Sequence, residues 1–205
     1  MTGRGALLLL VAFAACQSDK ASRVDFSEFS RGYVSKDYGE VYDRWTRHDF
    51  VSRDAEKAIE LWATFKSWDF REAYIEHYAA TYSISDADRE ALRQLEKKAL
   101  HESYEFHVTA QSANYKWNDL EKKSSPWRFV LMDALGHELQ PESIRVEKLP
   151  EVVERAFYPA KTPFTKAYIV RFVAPPNSEF AGVASGALVL RLSSPAGRVE
   201  LSWRN

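Results

Sequence analysis

Apolar residues change their spacing about halfway along the chain. From about Val24 to Ser103 they recur with the period of a helix that has one buried face, whereas from Tyr104 to Trp203 they alternate with polar residues, as in a half-buried strand. The pattern therefore predicts an α+β protein in which a helical region over 24–103 packs with an antiparallel β region over 104–205.

The helical region is predicted to contain about three helices. The first follows from Tyr38, Tyr42 and Trp45, which recur at spacings of four and three, as a single helix face requires. Between Arg53 and Tyr82, two aromatic or apolar stripes predict two helices or one bent helix. The stripes are Ala58, Trp62 and Phe65, and then Tyr74, Tyr78 and Tyr82.

The third helix has the clearest local signals and is predicted to run from about Asp86 to His101. Ser85 is a favourable N-cap with Asp88 three residues later, and the acidic first turns and late lysines match the helix dipole. Its buried stripe is expected to consist of Ala91, Leu92, Leu95 and Ala99.

The β region is predicted to contain six or seven short strands. The most distinct element is a C-terminal hairpin around Ser194-Pro195-Ala196-Gly197, which pairs one apolar face with another. The facing residues are Leu188, Leu190, Leu192, Val199, Leu201 and Trp203. This number of strands favours a β-sandwich that is immunoglobulin-like in strand count.

The N-terminus has the pattern of an export signal. Arg4 precedes an apolar run from Ala6 to Ala15, which is too short to span a membrane, and the only cysteine, Cys16, follows at once. The sequence Phe13-Ala14-Ala15-Cys16 resembles the lipobox of bacterial lipoproteins. The resemblance implies a signal peptide over 1–15, an acylated Cys16 followed by a tether over 16–23, and a protein anchored by lipid in the cell envelope. Gln17 after the cysteine resembles the class that is sorted to the outer membrane.

Charge and cysteine content exclude several functions. Lysines and arginines number 28 against 29 acidic residues, so there is no basic surplus to hold nucleic acid. Once Cys16 is acylated no thiol remains, which excludes a disulfide, a cysteine nucleophile and a thiolate metal site.

Two short motifs resemble catalytic patterns but are incomplete. His101-Glu102-Ser103-Tyr104-Glu105 lacks the second histidine of a zinc-binding helix, and Ser185 in Gly182-Val183-Ala184-Ser185-Gly186 stands one position too late for a nucleophile elbow. We therefore predict no catalytic residue, no metal site and no cofactor.

One aromatic segment has the composition of a recognition loop. Tyr115-Lys116-Trp117-Asn118-Asp119 lies between predicted strands and combines two rings with charged and amide side chains. Tyr115 and Trp117 are the predicted partner-binding residues, and Trp117 is expected to be exposed. The tyrosine stripe Tyr74, Tyr78, Tyr82 is interpreted instead as helix packing.

These features favour a non-catalytic envelope lipoprotein that binds or assembles with a protein, cell-wall or glycan partner and does not bind nucleic acid. Two alternatives from other classes stay open at this point. One is a hydrolase whose site is assembled only in three dimensions, and the other is a small-molecule carrier with a cavity between helices and sheet.

Overall fold

Four helices and nine strands form the part of the chain that the structure, a computed structural model, describes, namely residues 37–53, 56–112 and 114–205. The helices are α1 (Tyr38–Trp45), α2 (Trp68–Tyr82), α3 (Asp86–Glu102) and α4 (Glu151–Phe157). The strands are β1 (Thr46–Arg53), β2 (Glu56–Phe65), β3 (Tyr104–Gln111), β4 (Arg128–Asp133), β5 (Glu138–Leu139), β6 (Ser143–Val146), β7 (Lys166–Phe172), β8 (Ala187–Ser194) and β9 (Gly197–Arg204). The predicted α+β class is confirmed. The predicted signal peptide, Cys16 and the tether lie outside the described residues.

The strands form two antiparallel sheets. The five-stranded sheet has the order β1-β2-β3-β7-β6, and the four-stranded sheet has the order β5-β4-β8-β9. Buried rings join the sheets in one core, in which the centroid of Trp203 lies 5.2 Å from that of Phe106 and 6.2 Å from that of Phe65.

The prediction that residues 24–103 are helical is wrong for Thr46–Phe65, which forms β1 and β2. The core side chains of β2 follow a two-residue period through Ile59, Leu61, Ala63 and Phe65, and β2 pairs with β3 so that Phe65 lies opposite Phe106. The helical spacing of Ala58, Trp62 and Phe65 was a coincidence in a segment that fits both periods. Pairing with β1 on one side and with distant β3 on the other decides between them, because both satisfy the strand backbone in a way that the spacing of these three residues does not reveal. One sheet therefore combines strands from both predicted regions.

Local capping signals explain where the first two described helices begin. The Asp37 side chain accepts a hydrogen bond from the backbone N–H of Gly39, and α1 buries Tyr38, Val41, Tyr42 and Trp45 on one face. The Ser67 hydroxyl accepts the N–H of Phe70 at the start of α2. The break predicted near Ser67 is thus a helix start.

Helix α3 occupies the predicted span, and Ser85 caps it by accepting the N–H of Asp88, but the predicted buried stripe is wrong. Leu95 is 65% exposed and Ala91 is also exposed. The face of α3 that meets α2 carries charged side chains, since Arg93 contacts Glu72 at 2.9 Å and Arg89 contacts Glu76 at 3.3 Å. The helix is held against α2 by ion pairs in place of an apolar seam.

The C-terminal hairpin is confirmed in register and burial. Leu188 lies opposite Trp203, Leu190 opposite Leu201, and Leu192 opposite Val199, and all six side chains are buried. Gly197 in the turn has a φ of +139°, and a Cβ there would come within 2.6 Å of Val51 on β1. The hairpin turn therefore needs glycine both for its backbone and for close contact with β1.

The tyrosine stripe on α2 packs as predicted against another element. The Tyr74 ring centroid lies 4.8 Å from that of Phe157 on α4. The Tyr78 ring lies between Tyr74, at 6.2 Å, and Tyr82, at 4.6 Å. Of these three tyrosines, only Tyr82 at the end of the helix is exposed. The stripe contributes to the core beneath α4.

Candidate partner-binding groove

The aromatic segment predicted to bind a partner forms a short 3-10 helix, Tyr115–Asn118, after β3. Asn118 anchors it, since its side-chain amide donates to the carbonyl of Ala110 at 3.0 Å and its own carbonyl accepts the hydroxyl of Tyr168. The Trp117 side chain is half-buried and packs against the core, so it is less exposed than predicted. These hydrogen bonds fix the segment to β3 and β7, and the segment in turn positions the residues that follow it.

Ion pairs hold the next part of the loop to β7. Lys166 Nζ lies 2.8 Å from Asp119 Oδ1 and 3.0 Å from Glu121 Oε1. Partial burial of Lys166 lowers its pKa, but the two carboxylates have the larger effect and raise the pKa above its ordinary value. Hydrogen bonds from Lys122 and Lys166 lower the pKa of Asp119. Asp119 and Lys166 are therefore charged at neutral pH.

Beyond this loop lies a groove of about 450 Å³, within the size range of ligand sites in proteins. One wall belongs to the start of β4 and the other to the segment that leads into β6. The lining residues are Leu120, Glu121, Lys122, Lys123, Trp127, Arg128, Phe129, Gln140, Pro141, Glu142, Ser143 and Ile144. The groove thus separates the outer side of one sheet from the edge of the other.

Strand pairing explains why the groove lies there. β4 pairs with β8 along its whole length, but β5 covers only Leu131 and Met132 on the other side. After Leu139 the chain leaves this sheet, and β6 pairs with β7 in the five-stranded sheet. No strand of the described chain therefore pairs with residues 128–130 of β4 on their outer side.

The opposite edges of the two sheets cover each other. Arg47 on β1 donates from Nε to the carbonyl of Ser202 on β9 at 2.9 Å, and the indole of Trp203 donates to the carbonyl of Trp45 at 2.8 Å. The contact between Val51 and Gly197 extends this closure. An exposed sheet edge is a ready template for pairing with another chain. The fold closes one pair of edges and leaves the groove between the other pair.

Two cations of the groove lack a carboxylate partner. The acids in the lining are already paired, Glu121 with Lys166 and Glu142 with Arg171 at 3.4 Å. The Arg128 guanidinium donates only to backbone carbonyls among the described residues, those of Ser125, Trp127 and Lys123. Lys123 is exposed and forms no ion pair in the described chain. The groove therefore presents a net positive rim.

Two buried polar atoms in the same lining have no hydrogen-bond partner within the described residues. They are the indole N–H of Trp127, whose side chain is only 2% exposed, and Oε2 of Glu121. Most buried polar groups in proteins are satisfied, and an unpaired group costs about 1–3 kcal/mol. Both atoms are shielded from solvent, so they lie behind the groove surface and do not face its open space.

Sequence reasoning missed this groove. The composition and spacing of Lys122, Lys123 and Trp127 do not by themselves indicate a groove. The available signal was Pro126 directly before Trp127, because proline within a sheet is confined to strand starts and edges. Pro126 thus indicates a strand edge, but only the fold shows which segment faces that edge across the groove.

Ser185, the residue of the incomplete nucleophile motif, braces a loop. Its hydroxyl donates to the carbonyl of Gly182 at 2.6 Å and accepts the N–H of Ala134 at 3.0 Å. His137 directs Nδ1 toward Asp133 at 3.1 Å and Nε2 toward Glu179 at 3.6 Å. Serine, histidine and aspartate are thus neighbours, yet the imidazole is oriented by two acids and not by the serine.

A second polar cluster lies in the core, around His107 on β3. The His107 ring stacks on Tyr158 with centroids 3.4 Å apart, and its Nε2 lies 3.5 Å from Glu154, which is 3.3 Å from Lys161 Nζ. Burial lowers the pKa of His107. A neutral His107 beneath α4 fits its packing role.

Searches for relatives add one similar structure. No protein-family model and no curated protein matches the sequence. The chain is similar to the crystal structure of a protein of unknown function from Burkholderia pseudomallei, with 15% identity, a TM-score of 0.41, and coverage of 80% of this chain and 79% of that one.

Two further properties concern the described part of the chain. It contains no group of three or more histidine, cysteine, aspartate or glutamate side chains placed to hold a metal ion. None of its helices combines the length and apolarity needed to cross a membrane.

Proposed function

We propose that this protein is a membrane-anchored envelope lipoprotein that acts as a non-catalytic binding or assembly module, with its partner seated in the groove beside β4. The observation that carries the proposal is the groove itself, whose rim has two cations without a carboxylate partner among the described residues and one wall of which is an unpaired strand edge. Tyr115 and Trp117 belong to the adjoining 3-10 helix and contribute to the partner-binding surface through the loop they support.

The membrane anchor is supported by the lipobox-like sequence that ends at Cys16. We expect Cys16→Ala to abolish both incorporation of a radiolabelled fatty acid and cleavage of the signal peptide, because the thiol is the acyl acceptor. High salt is expected to leave the wild-type protein on the membrane, since several acyl chains bind firmly and without dependence on charge.

The matched control for the anchor is Ser18→Ala, which changes a neighbouring polar residue and is expected to retain the label. Labelled lipid on the Cys16→Ala protein would contradict the anchor. Sucrose-gradient separation of the two membranes tests the proposed outer-membrane location, which depends on Gln17.

Partner binding in the groove is tested by site-specific photocrosslinking in intact cells. A photoreactive amino acid at Gln140 is expected to form a discrete adduct with an envelope component, because this exposed, uncharged side chain lines the groove. The same amino acid at Arg198 on β9, at the opposite edge of the four-stranded sheet, is the matched control and is expected to form none. Equal adducts at both positions, or no adduct at Gln140, would contradict a partner in this groove.

We further propose that the two sheets constitute a β-sandwich with an immunoglobulin-like number of strands. The contacts of Trp203 with Phe65 and Phe106 across the core support this proposal. It concerns architecture and has no bearing on the partner.

A further inference from the structure

We propose that the groove binds an extended peptide, which adds a strand beside residues 128–130 of β4 and places a carboxylate against Lys123 and Arg128. The inference rests on the proposed binding function and names the chemical class of the partner. It joins a backbone feature and a charge feature of the same groove.

The backbone feature is the outer side of β4. In an antiparallel pair, only alternate residues exchange hydrogen bonds with one neighbour, and the others direct N–H and C=O to the opposite side. β5 uses that opposite side at Leu131 and Met132, and then the chain crosses to the other sheet. A peptide continuing the line of β5 along residues 128–130 would extend over about 10 Å, at roughly 3.3 Å per residue. Strand addition of this kind obtains affinity from main-chain hydrogen bonds.

The charge feature selects an anionic peptide. Glu121 and Glu142 are already matched by Lys166 and Arg171, so they do not neutralise the rim. Lys123 is exposed at the groove, and Arg128 has its charge uncompensated although its N–H groups are held by carbonyls. A carboxylate between these side chains gains attraction from both, and a charge-assisted hydrogen bond is stronger than a neutral one.

The unpaired strand favours a peptide over an anionic glycan. A peptide backbone carries one N–H and one C=O on each residue and supplies both kinds of group along a line. The outer side of β4 at residues 128–130 offers complementary backbone groups along the same line. The unpaired atoms of Trp127 and Glu121 are shielded from solvent, so the peptide is not expected to contact them.

The test uses the full chain in detergent micelles and an array of short fluorescent peptides of alternating valine and threonine, with glutamate at each position in turn. Binding is measured by fluorescence anisotropy. We expect at least one register to bind about tenfold more tightly than its glutamine counterpart, which corresponds to ~1.4 kcal/mol. Making each peptide with a free and with an amidated C-terminus separates a side-chain carboxylate from a terminal one.

Variants of the protein locate the binding. Lys123→Gln is expected to weaken the best peptide about tenfold, whereas Arg198→Gln, the same loss of charge on β9, is expected to leave the affinity unchanged. Methylation of alternate peptide nitrogens should abolish binding in one of the two possible patterns, because only every second N–H faces β4. When the peptide is bound, hydrogen exchange should slow at those amides of residues 128–130 that face the groove, and not at those that face β8.

The inference is overturned if no peptide of the array binds, if the glutamine peptides bind equally well, or if neither methylation pattern matters. Binding of an oligogalacturonate in place of the peptides would identify the groove as a glycan site and would also overturn it. In both cases a photocrosslink at Gln140 would leave the proposed function intact, whereas absence of that crosslink would remove the proposed function itself.

Discussion

Replacing Trp203 with alanine is expected to lower the free energy of unfolding by about 3–5 kcal/mol, the usual cost of removing a large buried ring. Trp203 is 0% exposed and contacts Phe65 and Phe106 of the other sheet. Its indole N–H also donates to the carbonyl of Trp45 at 2.8 Å, so the substitution removes packing and leaves a buried carbonyl without that donor. Because a domain is stable by only about 5–15 kcal/mol, this single side chain accounts for a large share.

Urea denaturation followed by circular dichroism measures this effect, with two comparison variants. Trp203→Phe retains most of the ring and loses the N–H, and is expected to cost about 1–2 kcal/mol. Trp62→Ala, on the half-exposed side of β2, is expected to cost less than Trp203→Ala because that ring is not in the core. Deletion of residues 202–205 should destabilise the protein at least as much as Trp203→Ala. An unchanged unfolding midpoint after this deletion would show that the hairpin does not close the core.

Replacing Arg71 with methionine is expected to lower the free energy of unfolding by about 3 kcal/mol, because it leaves carboxylates without their main partner in a buried network. Arg71 is only 1% exposed and its guanidinium contacts Glu96 on α3 and Glu105 on β3, the latter at 2.8 Å. Its Nε also donates to the carbonyl of Lys66 at 2.8 Å. Arg71 therefore joins α2 to α3 and to the five-stranded sheet through one side chain.

The pH dependence of stability provides a second measurement on the same variant. Burial raises the pKa of Glu105, but Lys66 and Arg71 outweigh it and hold the pKa below the ordinary value of 4.5. The unfolded chain then binds more protons than the native state just below that pH, so the stabilisation is present above about pH 4.5 and is lost as the pH falls through the lowered pKa. Arg71→Met should reduce this acid-dependent loss when urea midpoints at about pH 7 and about pH 4 are compared.

Arg89→Met is the matched control, since Arg89 also joins α3 to α2 but is far more exposed. Its ion pair with Glu76 is expected to contribute less than about 1 kcal/mol. If Arg71→Met and Arg89→Met had equal effects, the buried network around Arg71 would not be the element that holds α3 in place.

The elements that sequence predicted correctly are those whose signals lie close together in the chain. Helix α3 begins after Ser85 because a serine hydroxyl caps the first turn locally, and the β8–β9 hairpin follows from alternation on both sides of a turn that ends at Gly197. In these segments the residues that make the contacts are a few positions apart. Local composition was therefore sufficient.

Tertiary structure decided the features that depend on distant partners. β2 fits both a helical and a strand period, and it forms a strand between β1 and β3, of which β3 lies some forty positions later. Leu95 has the spacing of a buried residue, but the ion pairs of Arg93 and Arg89 turn a charged face of α3 toward α2. Long-range pairing and the choice between an apolar and an ionic helix contact depend on what lies opposite, which no local window contains.

The groove shows the same division most clearly. The segment Tyr115–Asp119, which its composition singled out, adjoins the groove, but the positive rim formed by Lys123 and Arg128 depends on which neighbouring charges are already paired. The unpaired side of β4 depends on the chain leaving one sheet for the other after Leu139. The sequence by itself determined which residues were available for recognition, whereas the fold decided which of them meet, because charge compensation and strand pairing are properties of neighbours in space and not of neighbours in the chain.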